Sequence, residues 1–274
     1  MQQDIRKFID EIPIEDIIDE QDCTKNFTEL CKIKKRPGQD SFYEAIKILN
    51  LGKEACKTVW EISETPIGEM SGNGSIFKGS CDGNDKVYAL KYIPLKGKTS
   101  YELKGIANEI NMQQLIYRDT NYTTPIYQIF LNSYMMMFIT DKLHITVYRY
   151  ILQKLEGGKM THDDISRIKR IIHICYQMLY DLMANHEIVH NDEHLNNFML
   201  TNDFNEDQFD ENHIKIIDFG KSYKLPHKKN NQMTIMMRIE VIKSIISSNI
   251  NDIRFHKNCP SQASLLLPDE LRWI

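Results

Sequence analysis

The sequence predicts an α+β protein, with a small β-rich part followed by a shortened helical part. Three observations predict it. Between Ile62 and Ile93 the hydrophobic period is that of strands, with Ile76-Phe77-Lys78-Gly79 and Val87 to Ile93 on either side of the turn cluster Asp82-Gly83-Asn84-Asp85. Thr161 to His186 carries the clearest helical period of the chain. Beyond it, the strings VHNDEHLNNFML (189–200) and IKIIDFG (214–220) set acids and an amide beside short apolar runs.

The remaining elements follow in order. Residues 1–36 carry short apolar clusters among acids and then basic residues, and a turn signal follows at Pro37-Gly38. Ser41 to Trp60, apolar at Phe42, Ala45, Ile46, Leu49, Cys56 and Val59 and interrupted by Gly52, predicts one or two short helices. Residues 1–61 are therefore expected to form an N-terminal helical extension. Ser100 to Tyr117 reads as a helix and Tyr134 to Leu143 as a buried strand. Thr161 can cap the long helix, with Asp164 closing a capping box, and Ile165, Ile168, Ile172, Cys175, Leu179 and Leu182 mark its buried face. Phe198 to Leu200 and Ile214 to Ile217 read as short strands around the polar turn Thr201 to His213, and Met233 to Ser248 as an amphipathic helix closing the core.

The chain has 274 residues, 42% hydrophobic and 26% charged, which suits one or two cores. A formal charge of −4 and a pI near 6.2 give no electrostatic argument for nucleic acid or an anionic membrane, so neither is expected as a partner. Lys34-Lys35-Arg36 reads as a solvated loop. The longest apolar stretch, Met135 to Ile139, is far too short to span a bilayer, and MQQDIRKFIDEI resembles neither a secretory signal nor a myristoylation site. Six cysteines without a CxxC pair suggest reduced thiols and a cytoplasmic location. The bias toward Ile, Asn, Lys and Met fits an AT-rich coding genome.

The two strings point to phosphoryl transfer. That reaction needs an acid to orient the attacking hydroxyl, oxygen ligands for Mg²⁺ and a cation on the phosphates. Asp192 suits the first need, and Asn197 and Asp218 the second. Lys91, in VYALKYI, supplies the third. A lone lysine is commonly a solvated strand-edge residue, but Glu109 lies on the following helix as a partner, with Glu102 as the competing acid. In IGEMSGNGSIFKG (67–79) glycines would let backbone N–H groups approach a polyphosphate, although the same residues could make an ordinary hairpin turn. With Gly74 as the last glycine, Ser71 and Glu69 fall at the other two positions, unless one inserted residue brings Gly68 into register.

Roughly residues 62–220 resemble the eukaryotic protein kinase-like family. VYALK resembles the VAIK strand, HNDEHLNNFML the HRD catalytic loop and IIDFG the DFG motif. The resemblance implies a two-lobed protein kinase-like fold over 62–274, with the small lobe at about 62–143 and the helical lobe at about 144–274. It implies Asp192 as catalytic base, Lys91 as the phosphate anchor held by Glu109, and Asn197 and Asp218 as Mg²⁺ ligands. ATP would also meet Gly68, Gly72, Gly74 and Ile76, with adenine received near Thr140 to Leu143 and so by Asp141 and Leu143. The implied activity is serine/threonine protein kinase, with an unassigned protein substrate.

Several residues depart from the family pattern. Asn191 stands at the arginine of HRD, which removes the usual link to a phosphorylated loop. His194 stands at the following lysine, which resembles haspin and also small-molecule phosphotransferases of the choline and aminoglycoside type. No APE-like motif follows Gly220, and the remaining chain is about half what a standard C-lobe uses, which resembles minimal kinases of the RIO and KEOPS type. Such divergence is compatible with a viral source. A pseudokinase acting as a nucleotide-binding or scaffold module and a small-molecule kinase are the alternatives. His186-Glu187-Ile188-Val189-His190 also spells the zincin motif HExxH, but that needs one helix through both histidines and leaves Lys91, Asn197 and Asp218 unexplained.

Overall fold

The structure is a computed structural model that describes residues 19–23, 46–51, 60–67, 74–81, 85–132, 134–156, 160–225 and 237–248. The chain divides into two compact units, one of residues 1–117 and 124–142, the other of 118–123 and 143–274.

The first unit is an antiparallel seven-stranded sheet with one helix. Its strands are β1 (Asp19–Cys23), β2 (Ile46–Asn50), β3 (Trp60–Pro66), β4 (Ser75–Cys81), β5 (Val87–Pro94), β6 (Ile126–Leu131) and β7 (Met135–Asp141), and the helix is α1 (Ser100–Thr120). They run in the order β1-β2-β6-β7-β5-β4-β3. β6 and β7 are buried on both faces, and their side chains alternate between two clusters. Met136 and Phe138 join Ile93, Ile106, Ile110 and Ile129 on one face, while Met135, Met137 and Ile139 join Trp60, Tyr88 and Phe130 on the other. The buried amide of Gln128 joins β3 and β2, accepting from Trp60 Nε1 at 2.8 Å and donating to Asn50 Oδ1 at 2.6 Å.

The expected hairpin forms as β4 on β5. The N-terminal region departs from expectation, because the described parts of residues 1–61 are strands. Ile46–Asn50 pairs with Phe130 and its neighbours on β6, and Asp19–Cys23 pairs with β2 in turn. Its apolar spacing suited a helix, but an open edge of the sheet offers backbone partners along the whole segment, and that pairing outweighs local preference. The cysteines also depart from expectation. Cys81 is disulfide-bonded, whereas Cys175 is a buried free thiol. Pairing depends on proximity in space, which sequence spacing does not report.

The second unit is helical with two small sheets. It contains β8 (Ile145–Thr146), α2 (Val147–Glu156), α3 (His162–Asn185), β9 (Ile188–Val189), β10 (Phe198–Leu200), β11 (Ile214–Ile216), β12 (Tyr223–Lys224) and a helix α4 over 237–248. α3 begins with the expected capping box of Thr161 and Asp164 and buries Ile168, Ile172, Cys175, Leu179 and Leu182. α4 covers the described part of the helix expected to start at Met233, burying Ile242 and Ile246. No described helix is long and apolar enough to cross a membrane.

Ile110 is fully buried between α1 and the sheet. Ile110→Ala is expected to lower unfolding stability by about 2–5 kcal/mol, read from the shift of the urea midpoint at constant m-value.

Candidate functional site

In the first unit, strand register sets Lys91 of β5 opposite Ile76 of β4 and Phe138 of β7. Lys91 Nζ pairs with Glu109 Oε1 of α1, and the side chains are 15% and 7% exposed. Nζ also lies 5.7 Å from the centroid of the Phe138 ring. Two charges this far from water each need the other as a partner, so each residue fixes the other. Glu109 reaches the sheet because it shares a buried helix face with Ile106, Ile110 and Gln113. Glu102 does different work. Its Oε2 accepts from Thr99 N and Thr99 Oγ1, each at 2.8 Å, and Glu102 N donates to Thr99 Oγ1 at 3.3 Å. Those bonds, led by the Thr99 N–H, hold its carboxyl below the ordinary range.

Gly74 precedes β4 with φ +142°, and a Cβ there would overlap the Tyr92 carbonyl oxygen. Glycine is therefore required where the chain enters β4. Gly68 and Gly72 lie outside the described residues. Ile76 projects from β4 with 40% exposure. Asp141 ends β7 and is held at its own strand, accepting from Lys86 Nζ at 2.8 Å and Tyr127 Oη at 2.9 Å. Lys86 also stacks over the Tyr88 and Tyr127 rings. Leu143, in the second unit, is partly buried.

In the second unit the β10–β11 hairpin gathers the other candidates. Phe198 pairs with Ile216, and Ile217 N donates to Asn197 O at 2.9 Å, so Asn197 and Asp218 flank the same end of the ladder. Residues just before the hairpin form the loop. Asn197 Nδ2 donates to Asp192 O at 2.8 Å and lies 3.4 Å from Asp192 Oδ2. Lys221 Nζ donates to Asp192 Oδ1 at 2.9 Å. Burial pushes the Asp192 carboxyl up, but the bonded Lys221 ammonium and neighbouring His194 outweigh it and leave it below its ordinary value. His194 Nε2 lies 3.6 Å from Asp192 Oδ2.

Two residues of this group hold left-handed backbone, Asn191 at φ +64° and Asp218 at φ +63°. Non-glycine residues occupy that region at a cost, which concentrates where a side chain must be aimed. The Asp218 carboxylate has no hydrogen bond or ion pair with another described residue, and Asn197 Oδ1 accepts none from them.

A protein kinase domain model matches residues 63–244. The chain belongs to the protein kinase family. Comparison with curated proteins returns no match. In this kinase His190 is a buried core group whose Nε2 donates to Ile217 O at 3.0 Å while Ser222 Oγ donates to His190 O at 3.0 Å. Burial lowers its pKa, so it stays neutral. The HExxH string forms no zincin helix, since α3 ends at Asn185 and Glu187 turns at φ +57°.

Sequence reasoning missed Lys221, Glu193 and Arg238 as members of the loop's environment. Lys221 directly follows the DFG string, a position that the family motif does not mark. Arg238 lies 45 residues from Glu193 and no local pattern joins them. The role of Glu102 was legible, because Thr99-x-x-Glu102 has capping-box spacing.

Removing Glu109 takes the partner carboxylate from the largely buried Lys91 ammonium. Glu109→Leu alone is expected to cost about 3–5 kcal/mol of stability, with the Lys91→Met/Glu109→Leu double variant recovering most of it in chemical unfolding. His190 gives a second expectation. With its folded pKa below 6.5, its neutral form stabilises the fold above that pH and the contribution is lost as pH falls through it. In an NMR titration its imidazole should take up a proton at lower pH than the exposed histidines do.

Proposed function

We propose that this kinase transfers the γ-phosphoryl group of ATP, with Mg²⁺, to a serine or threonine hydroxyl of a protein. The observation that carries the reading is Asp192, an ionised carboxylate fastened through Asn197 to the strand end that presents Asp218. Asp192 would orient the acceptor hydroxyl and take its proton as the oxygen attacks phosphorus. Lys91, held by Glu109, would meet the α- and β-phosphates. The backbone of the glycine segment, Gly68, Gly72 and Gly74, would cover them, with Ile76, Asp141 and Leu143 around the base.

The donor set suits Mg²⁺, a hard cation that prefers oxygen ligands. Asn197 Oδ1 and the Asp218 carboxylate are both unused by described partners and would hold it. When bound, the ion neutralises charge on the phosphates. Lys221 is 65% exposed on its ion pair, so it can yield Asp192 Oδ1 to an incoming hydroxyl. His194, standing where protein kinases carry lysine, supports a second reading in which the acceptor is a small hydroxyl compound.

Labelled ATP, casein and a panel of small hydroxyl compounds test these readings together. Asp192→Asn is expected to lower transfer by about 10²–10⁴-fold while retaining thermal stabilisation by Mg-ATP. Lys91→Met should weaken that stabilisation. Unchanged transfer in either variant would refute the assignment, and stabilisation of wild type without transfer to any acceptor would mark a nucleotide-binding module instead. Lys221→Met removes the cation that lowers the Asp192 pKa. The acid limb of the kcat/KM profile should therefore move to higher pH.

A further inference from the structure

Asp192 lies between two residues held by one arginine from a distant helix. Arg238, near the start of α4, donates from Nη2 to Glu193 Oε1 at 2.7 Å and Oε2 at 2.8 Å, and from Nε to Oε1 at 3.1 Å. The same Nη2 lies 3.0 Å from Asn191 Oδ1. Glu193 Oε1 also accepts the backbone N–H of Asn191 at 3.0 Å. Glu193 is only 1% exposed and Arg238 20%, so this pair is largely screened from water.

We propose that Arg238 and Glu193 form a clamp that fixes the orientation of Asp192, making them positioning residues for the phosphoryl transfer proposed above, on which this inference rests. The residue before Asp192 holds left-handed backbone, with φ +64° at Asn191, a conformation with few alternatives to spare and one that a side-chain clamp can fix. Arg238 holds it from the side chain, and Glu193 holds it from the backbone N–H. The guanidinium fork matches the carboxylate edge, so the pair resists rotation as a single ion contact does not. The sequence places an asparagine where the family carries the arginine that answers a phosphorylated loop. Here the arginine comes from α4 and its charge is already met by Glu193. The clamp therefore closes without phosphate, and the loop is set in the unmodified chain.

A role in stability alone and a role in positioning separate in a double variant. Removing both charges with apolar residues of similar size leaves no buried unpaired ion and commonly preserves stability. Glu193→Leu/Arg238→Met in the full chain is expected to unfold cooperatively near the wild-type temperature. Its kcat for transfer to casein should be at least tenfold lower, with the KM for ATP within about twofold. Hydrogen exchange of peptides covering 188–198 should be faster than in wild type, and Arg238→Lys should fall between the two.

A folded double variant with wild-type exchange at 188–198 and unchanged kcat would overturn the clamp. If the double variant does not fold, Arg238→Lys carries the decision: exchange indistinguishable from wild type would overturn the proposal, and faster exchange confined to 188–198 would support it. Absence of turnover in wild type would instead count against the catalytic reading. The exchange measurement would still decide the clamp.

Discussion

Three backbone pairings, Phe198 with Ile216, Met199 with Lys215 and Leu200 with Ile214, set the geometry of the loop that carries Asp192. The bond from Ile217 N to Asn197 O extends this ladder to the first residue outside each strand. A slip by one residue would turn Asn197 and Asp218 to opposite faces. The interior guards against that slip, because Phe198, Leu200, Ile214 and Ile216 are fully buried. Further anchors act on β11 itself. Ile216 N donates to Tyr122 O, Thr123 Oγ1 donates to Ile216 O and Lys215 Nζ donates to Asn121 O, each at 2.8 Å. The placement of the loop thus rests on a register fixed by packing and checked by hydrogen bonds.

Among the described residues, several charges that leave water are met by opposite charges. Lys91 meets Glu109, Glu193 meets Arg238, and the partly buried Asp141 meets Lys86. Asp218 departs from this pattern among the described residues, and it does so on strained backbone. That combination is what the proposed role of Asp218 rests on.

Legibility in the sequence followed the range of each interaction. Caps and amphipathic faces act over three or four residues, so the Thr161–Asp164 box and the buried face of α3 could be read directly. The β4–β5 hairpin spans one turn and was equally plain. Family motifs carried Asp192, Asn197 and Asp218, since their spacing within short strings survives without any knowledge of the fold. Two classes of feature stayed hidden. Strands β1 and β2 draw their stability from a distant edge at β6, which no local period records. Glu193 reads locally as a loop acid until Arg238 arrives from α4. Glu102 and Glu109 were separable in principle, one by its spacing from Thr99 and the other by its shared face with Ile110.

The two added strands also alter how the sheet meets other chains. Without them β6, an apolar strand, would present unpaired N–H and C=O groups as a template for any extended peptide. With them, the outermost described strand on that side is β1, whose sequence is Asp-Glu-Gln-Asp-Cys. Three of its five residues are acidic by sequence, in a chain of net charge −4, a composition that suits a poor template for pairing with a second copy. The strand that extends the sheet is thus also one whose sequence disfavours edge-to-edge pairing.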